Sequence, residues 1–162
     1  MMTPQAQTGT RAEGRSLPRY HQLPALELYK DQVLELVNRS LAPFFRDEAA
    51  LTDTMVNNYV KLRVIAPPVR KRYSRDQLAQ LVLVCLLKRV LSIAQLRQLL
   101  ELQRAGGSVE RSYDGFCEAL EAELCRGDAL RRPEESREAG LTRHAVSAFA
   151  CKLAFEQLLA QE

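Results

Sequence analysis

From Leu23 onward, apolar residues recur at helical spacing (Leu26, Tyr29, Val33, Leu36 or Val37, and Leu41) until Pro43. That period predicts an amphipathic helix of about 18 residues. After the link "FFRDEAA", Thr52 offers a hydroxyl to cap a second helix, Asp53 suits its first turn, and Leu51 and Val56 have the spacing of a hydrophobic staple. A helical wheel puts Leu51, Met55, Tyr59 and Leu62 on one stripe, expected to face the core. Thr54, Asn57, Asn58 and Lys61 fall on a separate stripe, expected to face a partner.

The pattern then breaks at "VIAPPVRKRYS", where two prolines exclude helix while Val, Ile and Tyr favour extended backbone, so a small hairpin or wing is expected. Ser74 and Gln77 form a capping box ahead of "LAQLVLVCLLKRV", apolar on nearly every side and therefore a buried central helix. Ser92 and Gln95 repeat the box ahead of "IAQLRQLLELQR", which stops at Gly106 and Gly107. Phe116, Leu120 and Leu124 predict a further helix from about Asp114 to Cys125.

Polarity divides the chain further. Residues 1–22 lack any period and read as a flexible arm, residues 23–126 as the folded domain, residues 127–140 as a charged linker, and residues 141–162 as an apolar C-terminal helix. That last helix, Leu141 to Leu159, carries more apolar surface than one packing face needs. It either folds back over the core or pairs with a second copy as a homodimer.

Composition adds little until charge is located. A hydrophobic share of 46% and a charged share of 27% fit one mainly helical globular unit, and a net charge of +3 is no polycation. Between Leu51 and Leu78, however, there are six basic side chains, and no Asp or Glu occurs from Thr54 through Arg75. Arg70, Lys71, Arg72 and Arg75 would make a compact cationic patch with a salt-dependent attraction to phosphate. Asn57 and Asn58 can each pair bidentately with adenine, Thr54 can reach a base or a phosphate, and Lys61 can neutralise phosphate. Taken singly, each of these features also fits a plain solvated face.

The order of these elements (helix, short capped helix, Pro-bounded basic wing, capped core helix) is that of a winged helix-turn-helix. From Leu51 to Leu100, about 50 residues, the chain resembles the DNA-binding region of the MerR regulators. "TMVNNYVKLRVIAPP" falls on their recognition helix, "RKRYSRDQL" on their wing and following helix, and "VLSIAQLRQLL" on the next helix. Tyr59, Lys71, Arg72 and Tyr73 fall on matching positions, whereas Asn57 and Asn58 stand where those regulators usually carry arginine and tyrosine. More closely, "LTDTMVNNYVK", "PPVRKRYSRD" and "CLLKRVLSIAQL" resemble a bacterial domain-of-unknown-function family with a MerR-like helix-turn-helix. The resemblance implies a mainly α, MerR-like winged helix-turn-helix fold with additional C-terminal helices. It also implies a bacterial transcriptional regulator that binds double-stranded DNA, with Tyr73 beside the basic wing residues in the interface.

Other classes are weaker or less specific. The same fold can serve as a non-catalytic protein–protein interaction module. An enzyme finds no support in the two histidines, His21 and His144, which have no partnering nucleophile and acid at informative spacing, or in any Gly-rich phosphate loop. Glu134 and Glu135 lie in the charged linker. Cys117, Cys125, His144 and Cys151 match no zinc-finger spacing, so no metal or other cofactor is expected. The N-terminus has no apolar core of the length a signal peptide needs, no segment reaches the roughly 18 uninterrupted apolar residues of a membrane span, and the expected location is the cytoplasm.

Overall fold

The computed structural model describes residues 15–45, 47–129 and 134–161. Among them the protein is mainly helical, with one small two-stranded sheet. The elements are β1 (Leu28–Tyr29), α1 (Lys30–Leu41), α2 (Asp53–Lys61), β2 (Arg72–Tyr73), α3 (Arg75–Leu87), α4 (Ile93–Ala105), α5 (Val109–Ala129) and α6 (Arg137–Leu159).

The core is built around α3, buried without a break from Gln77 to Cys85 and packed against α1 and α5. Its capping box forms as the sequence predicts: the Ser74 N–H donates to Gln77 Oε1 at 2.7 Å and the Gln77 N–H to Ser74 Oγ at 3.4 Å. Gln77 Nε2 also donates to the carbonyls of Ala66 (2.8 Å) and Pro67 (3.2 Å), so this buried amide satisfies a loop whose prolines cannot join a ladder. The box at Ser92 and Gln95 likewise opens α4, and Gly107, at φ 107°, follows its end.

The first helix is shorter than its periodicity predicts. It begins at Lys30 rather than Leu23, because Leu28 and Tyr29 pair antiparallel with Tyr73 and Arg72 as β1 against β2. Leu26, read as part of the apolar stripe, is 79% exposed. Gln32 Oε1 accepts the Tyr29 N–H at 2.9 Å and starts the helix there.

In α2 the predicted cap is present, with Thr52 Oγ1 accepting the Met55 N–H at 3.3 Å. Its buried stripe is centred on Leu51, Val56 and Tyr59, while Leu62, expected in the core, is exposed. Leu62 is already the C-cap, since the chain turns there through Arg63 at φ 57°. The Val64 N–H returns to the Tyr59 carbonyl at 2.9 Å and the Arg63 N–H to that of Val60 at 3.1 Å, a Schellman closure. Val64 and Ile65, expected in the hairpin, are instead buried behind this closure.

The reversal falls later, at Arg70 and Lys71, between Val69 and Arg72, whose backbones exchange hydrogen bonds of 3.0 and 2.9 Å. Both central residues have positive φ, 50° and 63°, the signature of a type I′ hairpin turn.

The N-terminal strap departs most from expectation. Residues 1–14 of the expected arm lie outside the described residues, but the rest of it packs. Leu17 and Leu23 are buried, Tyr113 Oη donates to the Pro18 carbonyl at 2.9 Å, and the Tyr20 N–H donates to Asp114 Oδ1 at 2.8 Å. Arg19 pairs with Glu121 at 2.7 Å. These partners come from α5, which is too distant in sequence for a local pattern to reveal.

Toward the C-terminus, α5 exceeds the expected span from Asp114 to Cys125 at both ends, and α6 begins at Arg137, capped by Ser136, rather than at Leu141. Of the expected linker, residues 130–133 lie outside the described residues and the flanking stretches are largely helical. No residue of α6 is buried. It meets the body through half-buried Phe155, Lys152 Nζ to Gln95 Oε1 (2.6 Å), and Gln98 Nε2 to the Leu159 carbonyl (3.1 Å). No helix among the described residues is long and apolar enough to cross a membrane.

Candidate functional site

The acid-free stretch occupies two elements that face each other across a cleft. On α2, Thr54, Asn57, Asn58 and Lys61 are all exposed, as their stripe predicts. At the hairpin tip, Arg70 and Lys71 are exposed as well. Between them lies a cleft of about 730 Å³, with Asn57, Val60 and Lys61 from α2, Pro68 and Lys71 from the hairpin, and Lys30 from the start of α1. Lysines from three separate elements therefore line one cleft, with Asp31 at its rim and Lys30 paired to Asp53 beside it.

The other predicted residues divide. Arg72 is exposed, but its guanidinium lies 5.0 Å from the centre of the Tyr29 ring and donates to Tyr29 Oη at 3.1 Å. That contact holds the edge of the hairpin against β1. Tyr73, expected at the interface, is only 3% exposed and belongs to the core, where burial pushes its hydroxyl above the ordinary tyrosine range. It faces inward because it alternates with Arg72 on a strand. Arg75 is half-buried: its Nε donates to the Pro24 carbonyl at 3.3 Å and its guanidinium lies 5.3 Å from the Tyr20 ring centre. It therefore secures the strap.

Sequence reasoning missed Lys30 and Asp53 as members of the site. Lys30 Nζ lies 2.5 Å from Asp53 Oδ1 and 3.3 Å from Asn57 Oδ1, and Asn57 Nδ2 donates to Asp53 Oδ2 at 2.9 Å. Hydrogen bonding to Lys30 holds the Asp53 carboxyl below its ordinary range, and the same bond raises the Lys30 ammonium. The Asp53–Asn57 spacing of four was a visible signal on α2. Lys30 gave none, because placing it inside a longer first helix conceals its approach to α2.

The four cysteines are free; Cys85 and Cys117 are buried and Cys125 and Cys151 exposed. Among the described residues no group of His, Cys, Asp and Glu side chains is arranged to hold a metal ion.

Neither the curated proteins nor the solved structures include a match to the chain. Residues 18–116 match the family described as Domain of unknown function (DUF1836). The match covers the strap, the sheet, α1 to α4 and the first turns of α5, well over half of the 162 residues, and leaves α6 outside. The chain therefore belongs to the DUF1836 family.

Proposed function

We propose that this protein is a non-enzymatic, sequence-reading DNA-binding protein of the winged helix-turn-helix, MerR-like type, acting as a bacterial transcriptional regulator in the cytoplasm. In this reading α1 and α2 are the helix-turn-helix, α2 enters the major groove with Thr54, Asn57, Asn58 and Lys61, and the hairpin is the wing. The observation that carries it is the cleft that Lys61 of α2 and Lys71 of the hairpin line from opposite sides, beside an exposed polar helix face. Lysines converging from both sides of a groove suit a phosphate backbone, and an exposed amide row on the helix suits base edges. Arg70 and Lys71 strengthen it: non-glycine residues held at positive φ on an exposed tip tolerate a strained backbone that presents two cations.

Tyr73 and Arg75 are not part of this proposed surface, for the reasons of burial and pairing given above. The proposed partner besides duplex DNA is a second copy of the chain, joined through α6, whose Leu141 (63%), Val146 (61%) and Phe149 (68%) are exposed. Replacing Arg70, Lys71 and Arg72 together by Ala tests the wing. The variant is expected to weaken binding to every duplex and to flatten the salt dependence by up to about three phosphate contacts. A folded variant with an unchanged slope would remove the wing from the interface.

A further inference from the structure

We infer that the cavity between α6 and the body of the protein is a binding site for an uncharged apolar small molecule that carries a hydrogen-bonding group. Leu87 of α3, Leu99 of α4, Phe116 of α5 and Phe155 of α6 wall a space of about 470 Å³. Small-molecule sites span roughly 300 to 1,000 Å³ and are mostly apolar with a few placed polar groups. On α6 the wall consists of Ala148, Cys151, Lys152 and Phe155, which the helical period sets on one face. Val146 and Phe149 fall on a different face, so the cavity is separate from the proposed contact with a second copy. It also shares no lining residue with the cleft beside α2.

Three polar side chains at the wall define the ligand's chemistry. Gln103 and Ser112 are half-buried, and their side chains make no hydrogen bond with any described residue, so an amide and a hydroxyl are left for a neutral donor or acceptor. Lys152 brings a charge, but its ammonium is already held by Glu156 at 3.2 Å and by Gln95 Oε1 at 2.6 Å. A ligand carboxylate would compete with Glu156 for that ammonium, and a ligand cation would meet Lys152 itself. An ionised group would therefore lose water without gaining a partner. An alcohol, ketone or amide on an apolar body suits both the walls and the two unpaired groups.

The 162-residue chain contains no Trp, so the uncharged fluorophore N-phenylnaphthylamine, which brightens in apolar surroundings, reports occupancy against a low background. Its emission is expected to rise with the protein and to be displaced by decanol at a concentration about tenfold or more below that needed of decanoate or decylammonium. Ala148→Trp fills the cavity from an exposed helix position and is expected to abolish the rise with helical circular dichroism unchanged. Val146→Glu with Phe149→Glu, on the other face of α6, is expected to preserve it. In the unaltered chain, decanol is expected to slow alkylation of Cys151 by iodoacetamide, followed by mass spectrometry, and to leave the rate at exposed Cys125, which does not line the cavity, unchanged. If Ala148→Trp lowers the helical signal, the two alkylation rates decide. No rise with the unaltered chain, a rise that persists in folded Ala148→Trp or vanishes in the double variant, displacement by decanoate equal to that by decanol, or equal alkylation changes at both cysteines overturns the inference.

Discussion

The side-chain amide of Asn38 pairs with both backbone groups of Leu51: its Nδ2 donates to the Leu51 carbonyl at 2.8 Å and its Oδ1 accepts the Leu51 N–H at 3.0 Å. Leu51 is the residue before the Thr52 cap of α2, and its side chain is fully buried. One residue of α1 thus imitates a strand partner at the entrance to α2 and sets the angle between the two helices. Lys88, the C-cap of α3, supports the same entrance, its Nζ donating to the Ala50 carbonyl at 2.9 Å.

Asn38→Ala leaves a part-buried N–H and carbonyl without this partner and is expected to cost about 1 to 3 kcal/mol. Urea unfolding followed by circular dichroism measures the loss. A change below about 0.5 kcal/mol would mean that water replaces the amide at little cost and that the interhelical angle is set elsewhere.

The hairpin turn separates charge from stability. Arg70 and Lys71 occupy positive φ, where side chains are strained and where Asn followed by Gly is favoured in a type I′ turn. Arg70→Asn combined with Lys71→Gly is expected to stabilise the fold by about 1 to 2 kcal/mol while weakening duplex binding. A destabilised variant in the same urea assay would contradict the turn geometry.

Features of this fold set by near neighbours are legible in the sequence, and those set by distant partners are not. Thr52, Ser74 and Ser92 cap helices through neighbours three residues away, so the caps were legible. The exposed faces of Asn57 and Lys61 followed from the helical period for the same reason. Leu28 and Tyr29 carried an apolar pattern compatible with helix, and only the pairing with Arg72 and Tyr73, more than forty residues on, makes them a strand. The family resemblance puts Tyr73 in the interface with the basic wing, yet strand alternation turns it into the core. The strap from Leu17 to Leu23 was unreadable because its partners, Tyr113, Asp114 and Glu121, lie on α5.

Alkaline pH should unfold the protein through buried acids that must remain neutral. Burial pushes the Cys85 thiol up from 9.0 to about 11 and the Tyr59 hydroxyl from 10.0 to about 12. Because these groups ionise more readily in the unfolded chain, their contribution is complete below about pH 9 and is lost as pH rises toward about 12. Tyr59 should ionise together with the loss of helical circular dichroism, detected as the difference in tyrosinate absorbance between the protein and Tyr59→Phe. Ionisation of Tyr59 well before the helices melt would contradict its burial.

The exposed apolar surface of α6 tests the proposed homodimer. Replacing Val146 and Phe149 by Glu should leave the body folded, since both side chains are more than half exposed, and should convert a dimer to a monomer by light scattering. A monomeric unaltered chain, or an unchanged dimer in the variant, would remove this face from the interface.

In the proposed function the α2 face and the hairpin tip read duplex DNA by base and by charge together. Selection by the 162-residue chain from pooled random duplexes at low and at physiological salt tests it directly. The expected result is weak, salt-sensitive retention of all sequences, together with one enriched site that survives the higher salt and contains an adenine whose enrichment disappears in Asn57→Ala. Recovery of an unenriched pool that washes away uniformly with salt, or no retention even at low salt, would contradict it.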